Sequence, residues 1–586
     1  MKQGKRMRKN NIDKNEIRNG VQTGNEQVNQ SKNIKKKKKA KKRLLILLAI
    51  ILLLFIAYLA NDFIIFDNND KTNLVINNNN VTSALKNDVL VENDTIYVSK
   101  DDIKNFFDKY IYIDEENNKI VTTYDKKVAT IGFEDKKINI NGSNKKIYAH
   151  AENKDGKIYL PISEMKEVYG IDIDYIKDTN VIVIDSVARE QKKAMISKDA
   201  AVKSSTGFIS KTVDRVQKND YAVVVSKTDN GWTKIRTKTG KIGYVKNDVL
   251  VNEVTVRENM EDEKQIDGKV NLVWDFFSQY AKAPNRSGEE IDGVNVVSPS
   301  FFYINGKGEF KENVGETGKN YIKWAHDNGY KVWPMVSNSF EENMIETTSN
   351  IMNSFEKRQE LIEKIVDVCV EYKLDGINID FENMKKADKD MFSRFIIELT
   401  PRIKEIGLVV SVDVTAPDGG ETWSLCFDRN VIGHVADYII FMAYDQTSVG
   451  SKKAGTTAGY NWVEINLKKF LVTEEIDSNK IILAVPFYTR LWTEKSDGDL
   501  SSNTVNMKGI DEVLPNDVDK KWLDDVKQNY VEYEEKGNTK KMWIEDLDSI
   551  KEKASLINKY NLGGIAEWEK DKEDPDVWKV IKDALK

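Results

Sequence analysis

At 586 residues the chain is too long for one ordinary domain, and its length suggests about four. Its 40% hydrophobic and 31% charged residues support real cores under a well-solvated surface, and the net charge of −5 hides a strongly basic start ending in Lys35-Lys36-Lys37-Lys38-Lys39-Ala40-Lys41-Lys42-Arg43. Two cysteines and three histidines (Cys369, Cys426, His150, His326, His434) stand at no ligand spacing, which speaks against a zinc or copper site and against a redox pair.

Residues 1–43 read as a basic cytoplasmic tail. Such a block invites a nucleic-acid partner, but the unbroken apolar run 44–60, resuming as Phe63-Ile64-Ile65-Phe66, decides against one. The uninterrupted part sits at the short end of what crosses a bilayer. Lysines before it place the N-terminus in the cytoplasm, and each adds about 1 kcal/mol beside anionic lipid. A cleaved signal peptide needs a small-x-small site, and Tyr58, two before Ala60, is not small. The expectation is an uncleaved signal anchor over 44–66. The protein is then single-pass in the cell membrane, with everything after Phe66 outside the cell. The Asn/Asp-rich 67–80 reads as a linker.

Over 81–187 short β-like runs follow one another at 95–98, 119–123, 128–131, 137–140 and 181–184. A strand-like 157–162 leads into a helical 163–170. This arrangement resembles the small α+β domain named after copper amine oxidase N-termini. It offers no copper ligands, and a spacer or wall-contact role is the expectation. Over 195–252, β-like runs with turn glycines (201–205, 221–225, Gly231-Trp232, 240–245) make a small all-β pattern that resembles a bacterial SH3-type domain. The resemblance implies peptidoglycan peptides as a partner, although Trp232 and Tyr244 equally suit its core.

From 265 to 586 strands and helices alternate. Candidate strands are 270–277, 294–303, 331–337, 376–382, 409–415, 438–444, 481–487 and 564–568. Eight such strands predict a (β/α)8 barrel, with an inserted subdomain between Trp492 and Ile544. No Gly-rich phosphate loop follows the first strand, as a doubly wound sheet would need.

The fourth strand carries the chemistry. In Asp375-Gly376-Ile377-Asn378-Ile379-Asp380-Phe381-Glu382, apolar residues alternate with Asn378, Asp380 and Glu382. Side chains two apart share a face, so two carboxyls and an amide lie together. An ionised Asp380 roughly 7 Å from Glu382 along the strand favours the protonated form of Glu382, as a general acid requires. The run resembles the Asp-x-x-Asp-x-Asp-x-Glu signature of family 18 glycoside hydrolases, the chitinase-like enzymes. Asn378 stands where chitinases carry Asp, a form similar to the bacterial branch acting on spore-cortex and cell-wall peptidoglycan. Later segments agree in order: Met442-Ala443-Tyr444-Asp445, Pro486-Phe487-Tyr488 and Glu567-Trp568.

The resemblance implies Glu382, Asp380 and Tyr444 as catalytic residues. Asn378, Asp375 and Asp445 would support them, and Trp568, Tyr488 and Trp274 would bind substrate, with no metal and no cofactor. It also implies substrate-assisted retaining hydrolysis. Glu382 protonates the glycosidic oxygen while the substrate's own 2-acetamido carbonyl attacks the anomeric carbon. Asp380 holds the acetamido N–H, Tyr444 steadies the carbonyl oxygen, and Asn378, on the same face, can hydrogen-bond Asp380 but cannot carry its proton. The leading expectation is a membrane-anchored hydrolase of an N-acetylglucosamine-containing polysaccharide, peptidoglycan first. A chitinase or N-acetylglucosaminidase on soluble chitin oligosaccharides and a non-catalytic wall-binding scaffold are the alternatives.

Overall fold

The computed structural model describes residues 38–39, 41–53, 71–207, 210–260, 266–338, 341–417 and 419–586. Most of the basic tail (1–37), the second part of the expected anchor (54–66) and the start of the expected linker (67–70) lie outside the described residues. Residues 41–53 are helical and expose their leucines and isoleucines. Among the described residues no helix is long and apolar enough to cross a membrane.

The chain divides into two compact units. In one, comprising 1–84, 173–185 and 189–259, the expected linker is largely replaced by structure. Asn73–Ile76 is a strand running parallel to Val181–Ser186, with Leu74 and Val75 buried. Asn77 and Asn78 turn it back onto Asn79–Asn80 at positive φ, a conformation asparagine tolerates better than most residues. The asparagine-rich composition therefore marks a tight turn beside a short apolar strand, not a tether. The same unit contains an antiparallel seven-stranded sheet running from Gln191–Ile196 to Leu250–Arg257. Its core is Ile196, Val202, Val216, Ala222, Ile235, Val245 and Val249. Trp232 and Tyr244 stay half-buried outside that core, and the Lys246 ammonium lies 4.3 Å from the Trp232 ring centre.

The other unit comprises 85–172, 186–188 and 260–586. Its N-terminal part holds a four-stranded sheet and a five-stranded antiparallel meander, the latter running from Tyr112–Asp114 to Ser143–Lys146. The C-terminal part is the expected barrel. Its strands are β1 Val270–Asp275, β2 Val296–Pro299, β3 (Lys331–Val332 continued by Met335–Ser337), β4 Gly376–Asp380, β5 Val409–Val414, β6 Tyr438–Met442, β7 Ile481–Pro486 and β8 Gly564–Trp568. Each pairs in parallel with the next, and β8 pairs with β1 to close the ring. Closure requires a glycine at 564, where any Cβ would run into the Val270 carbonyl. Helices α1 (Phe355–Glu371) and α2 (Lys389–Glu405) flank β4 in sequence. The insertion begins earlier than expected, at Tyr488. It forms a five-stranded sheet from Tyr488–Glu494, Leu500–Asn506, Lys521–Leu523, Gln528–Glu535 and Asn538–Ile544.

Candidate active site

The alternation read in β4 is realised. Phe381 points outward and stacks on Phe392 and Phe395 of α2, with ring centres 5.8 and 5.7 Å away. Its neighbours Asp380 and Glu382 are thereby turned to a cavity of about 280 Å³ at the C-terminal ends of the strands. Trp274, Met442, Tyr444, Asp445, Tyr488 and Trp568 line it too, joined by Asn383, Asp413 and Trp423. Where β4 ends, Asn338 grips the backbone of Glu382 on both sides. Its Oδ1 accepts from the Glu382 N–H at 3.0 Å and its Nδ2 donates to the Glu382 carbonyl at 2.8 Å.

Two of the expected supporting residues have partners other than the candidate catalytic carboxyls of β4. Asp375 sits at the opposite end of the strand, where it accepts from the Val332 N–H and pairs with Lys331 at 3.0 Å and His326 at 2.9 Å. Four strand residues separate it from Asp380 at the cavity, so it ties the barrel floor away from the site. Asn378 does not bond Asp380. Its Nδ2 donates to Asp413 at 2.8 Å and Ser411 at 3.1 Å, and its Oδ1 accepts the Trp274 indole N–H at 2.8 Å. Side chains two apart on one strand share a face but stand roughly 7 Å apart, whereas the inward residues of adjacent strands come within hydrogen-bond reach.

Asp380 is 7% exposed and its Oδ1 accepts no hydrogen bond. Burial pushes its carboxyl up to about 7. Burial, followed by the charges of Asp380 and Asp445, holds Glu382 well above the ordinary carboxyl range. Asp413 is raised for the same reason, by burial and then Asp380, against the opposing hydrogen bond from Asn378. Three carboxyls so placed cannot all ionise near neutral pH, and the shared proton belongs to the cluster. Burial also raises the Tyr444 and Tyr488 hydroxyls, which keeps them as donors.

Asp445 adopts φ +55° and accepts from the Tyr488 hydroxyl and from Arg490, both at 2.8 Å. Trp568 keeps part of its surface open and packs edge-on against Trp274, 5.8 Å between ring centres. Trp274 is only 1% exposed, with its N–H spent on Asn378. It backs the cavity and offers little face to a ligand. Asp413, Asn338, Trp423 and Arg490 were not anticipated. Asp413 had a signal: in Val409-Val410-Ser411-Val412-Asp413-Val414 polar residues alternate with valines just as in β4. Among the described residues no cluster of His, Cys, Asp and Glu is arranged to hold a metal ion.

The closed (β/α)8 barrel carries, at its C-terminal mouth where barrel enzymes do their chemistry, a carboxyl whose burial favours the protonated form beside a partly open tryptophan, an arrangement suited to a glycoside hydrolase. The family model for glycosyl hydrolases family 18 matches residues 272–573, and the chain belongs to that family. The model for the copper amine oxidase N-terminal domain matches residues 70–184, a span that starts ahead of the buried strand Asn73–Ile76. Among curated relatives, an uncharacterized glycosylase YvbX of Bacillus subtilis is 23% identical over 307 residues, half of this chain and 85% of that protein. The cortical fragment-lytic enzyme of the same organism is 24% identical over 241 residues, 40% of this chain and 55% of that protein. Among solved structures, the spore cortex-lytic enzyme SleL of Bacillus megaterium matches with a TM-score of 0.48 at 21% identity, covering 57% of this chain and 77% of that one.

Proposed function

We propose that this enzyme cleaves the β-1,4 bond next to N-acetylglucosamine in peptidoglycan by substrate-assisted retaining hydrolysis. The observation that supports this reading best is the Asp380 Oδ1, buried, unpartnered and facing the cavity that also holds Glu382, Tyr444 and Trp568. A buried acceptor left empty costs about 1–3 kcal/mol, and an acetamido N–H would fill it. That contact presses the substrate's carbonyl oxygen toward the anomeric carbon, and the Tyr444 hydroxyl donates to it as charge builds. Glu382, holding its proton because of burial and neighbouring charge, gives it to the leaving oxygen and then draws a proton from the incoming water. Asn378 serves the cluster by fixing Asp413 and Trp274.

Peptidoglycan is preferred over chitin because the curated relative named for cortical fragments and the Asn378 form of the motif both lean that way. Residues 44–66 would hold the enzyme at the outer face of the cell membrane, a reading supported by their apolar composition. The seven-stranded sheet at 191–257 would add a contact to wall peptides, in line with its likeness in sequence to SH3-type modules.

The test is to incubate the extracellular part with purified peptidoglycan and with soluble chitin oligosaccharides, identifying new reducing ends by mass. Reducing-end N-acetylglucosamine from peptidoglycan alone supports the proposal. Cleavage of chitin alone selects the chitinase reading, and binding without cleavage selects the scaffold. Glu382→Gln keeps the shape but not the proton and should lower turnover at least about 100-fold. A variant keeping more than a few per cent of the rate removes Glu382 as the acid. A thiazoline analogue of N-acetylglucosamine should inhibit, and no inhibition at saturation would point to a protein nucleophile.

A further inference from the structure

The segment 85–172 is read from sequence as a spacer or wall-contact module, yet it belongs to the same compact unit as the barrel. Its meander lies against the helices that precede and follow β4. Arg358 of α1 and Glu398 of α2 form an ion pair, 3.1 Å, with side chains 2% and 0% exposed. Tyr112, on the first strand of the meander, completes it: the hydroxyl accepts from Arg358 at 2.9 Å and donates to Glu398 at 3.2 Å. One helical turn away, the Arg394 guanidinium lies 4.0 Å from the centre of the Tyr112 ring and donates to the Tyr110 carbonyl at 2.7 Å. Lys127 reaches Glu405 at 3.0 Å. Residues 394, 398 and 405 recur at helical spacing and share the outer face of α2.

The face of α2 turned to β4 carries Phe392 and Phe395, the two rings on which Phe381 stacks, and Phe395 stands one turn before Glu398. Phe381 stands between Asp380 and Glu382 in the chain. A second line of contacts leads the same way. Arg358 donates to the Met352 carbonyl at 2.7 Å, and the adjacent Asn353 donates to Asp388 at 2.7 Å, in the loop just past Glu382. Leaving a buried charge short of one hydrogen bond is destabilising, so loss of Tyr112 would be felt at the helices first. Packed aromatic stacks carry such shifts because they have little room to relax.

We propose that segment 85–172 is an integral brace of the catalytic strand, with Tyr112 and Arg394 as positioning residues that act on Asp380 and Glu382 through α1, α2 and Phe381. The brace fixes where the carboxyls sit and has no part in the chemistry.

Full-length wild-type, Tyr112→Phe and Tyr112→Ala proteins are compared by hydrogen–deuterium exchange and by reducing-end release from purified peptidoglycan. Tyr112→Ala should raise exchange across 376–388 by about five-fold or more. It should lower kcat by about 10-fold with KM within about two-fold, since a small misplacement of catalytic groups costs rate before binding. Tyr112→Phe keeps the ring under Arg394 and should fall between the other two. If exchange rises only in the meander, or if kcat well below the unfolding transition is unchanged, the segment merely rests on the helices and the proposal is overturned. The kinetic arm rests on the glycosidase reading, whereas the exchange arm does not. A wild type that releases no reducing ends would count against the glycosidase reading alone. Should Tyr112→Ala fail to fold, exchange in Tyr112→Phe decides: no rise across 376–388 overturns the proposal.

Discussion

Replacing Asp380 by Asn should stabilise the barrel at neutral pH while abolishing its chemistry. Burial raises this carboxyl from 3.8 to about 7, and its Oδ1 has no donor to compensate. The native state therefore keeps a proton that the unfolded chain has already lost over that window. Stability falls as pH rises from about 4 to about 7, because the native state binds more protons than the unfolded one. At 1.36 kcal/mol per decade, the full window corresponds to on the order of 4 kcal/mol lost above pH 7. Asparagine does not titrate, but its amide needs partners, a cost of about 1–2 kcal/mol. The variant should thus gain about 2–3 kcal/mol at pH 7.5 and nothing, or a small loss, at pH 4. Scanning calorimetry of wild type and variant across pH 4–8 measures this, following the transition that carries the barrel. A difference in Tm that is independent of pH, or that grows on acidification, would refute the reading that the carboxyl cluster containing Asp380 keeps a proton in the native state.

Three further outcomes follow from the same geometry. Asp445→Asn removes a negative charge that helps hold Glu382 protonated, so the alkaline limb of the pH–rate profile should move to lower pH; movement to higher pH would exclude Glu382 as the group titrating there. Asn338→Ala frees both backbone bonds at Glu382 and should cost about 1–3 kcal/mol in urea unfolding, with kcat falling more than KM changes. Gly564→Ala sets a Cβ against the Val270 carbonyl at the β1–β8 seam and should destabilise the barrel by more than about 3 kcal/mol, read as loss of Tm or of soluble protein.

Much of this was legible from residue order alone. The eight barrel strands appear where apolar runs alternate with helical periodicity, because a buried parallel strand must be apolar over its length. Asp380 and Glu382 could be assigned to one face from a spacing of two, since the pleat leaves no other choice. What neighbours that face, however, depends on which strands lie side by side. Only the tertiary structure brings Asp413 and Trp274 to Asn378 and delivers Arg490 from the insertion to Asp445. Likewise, local pattern could not show that a three-residue apolar run among asparagines pairs with a strand some hundred positions later, nor that Tyr112 completes an ion pair between two barrel helices. Periodicity is a property of neighbouring residues and survives in sequence. Cross-strand and cross-domain contacts are set by chain closure, and only folding brings those partners together.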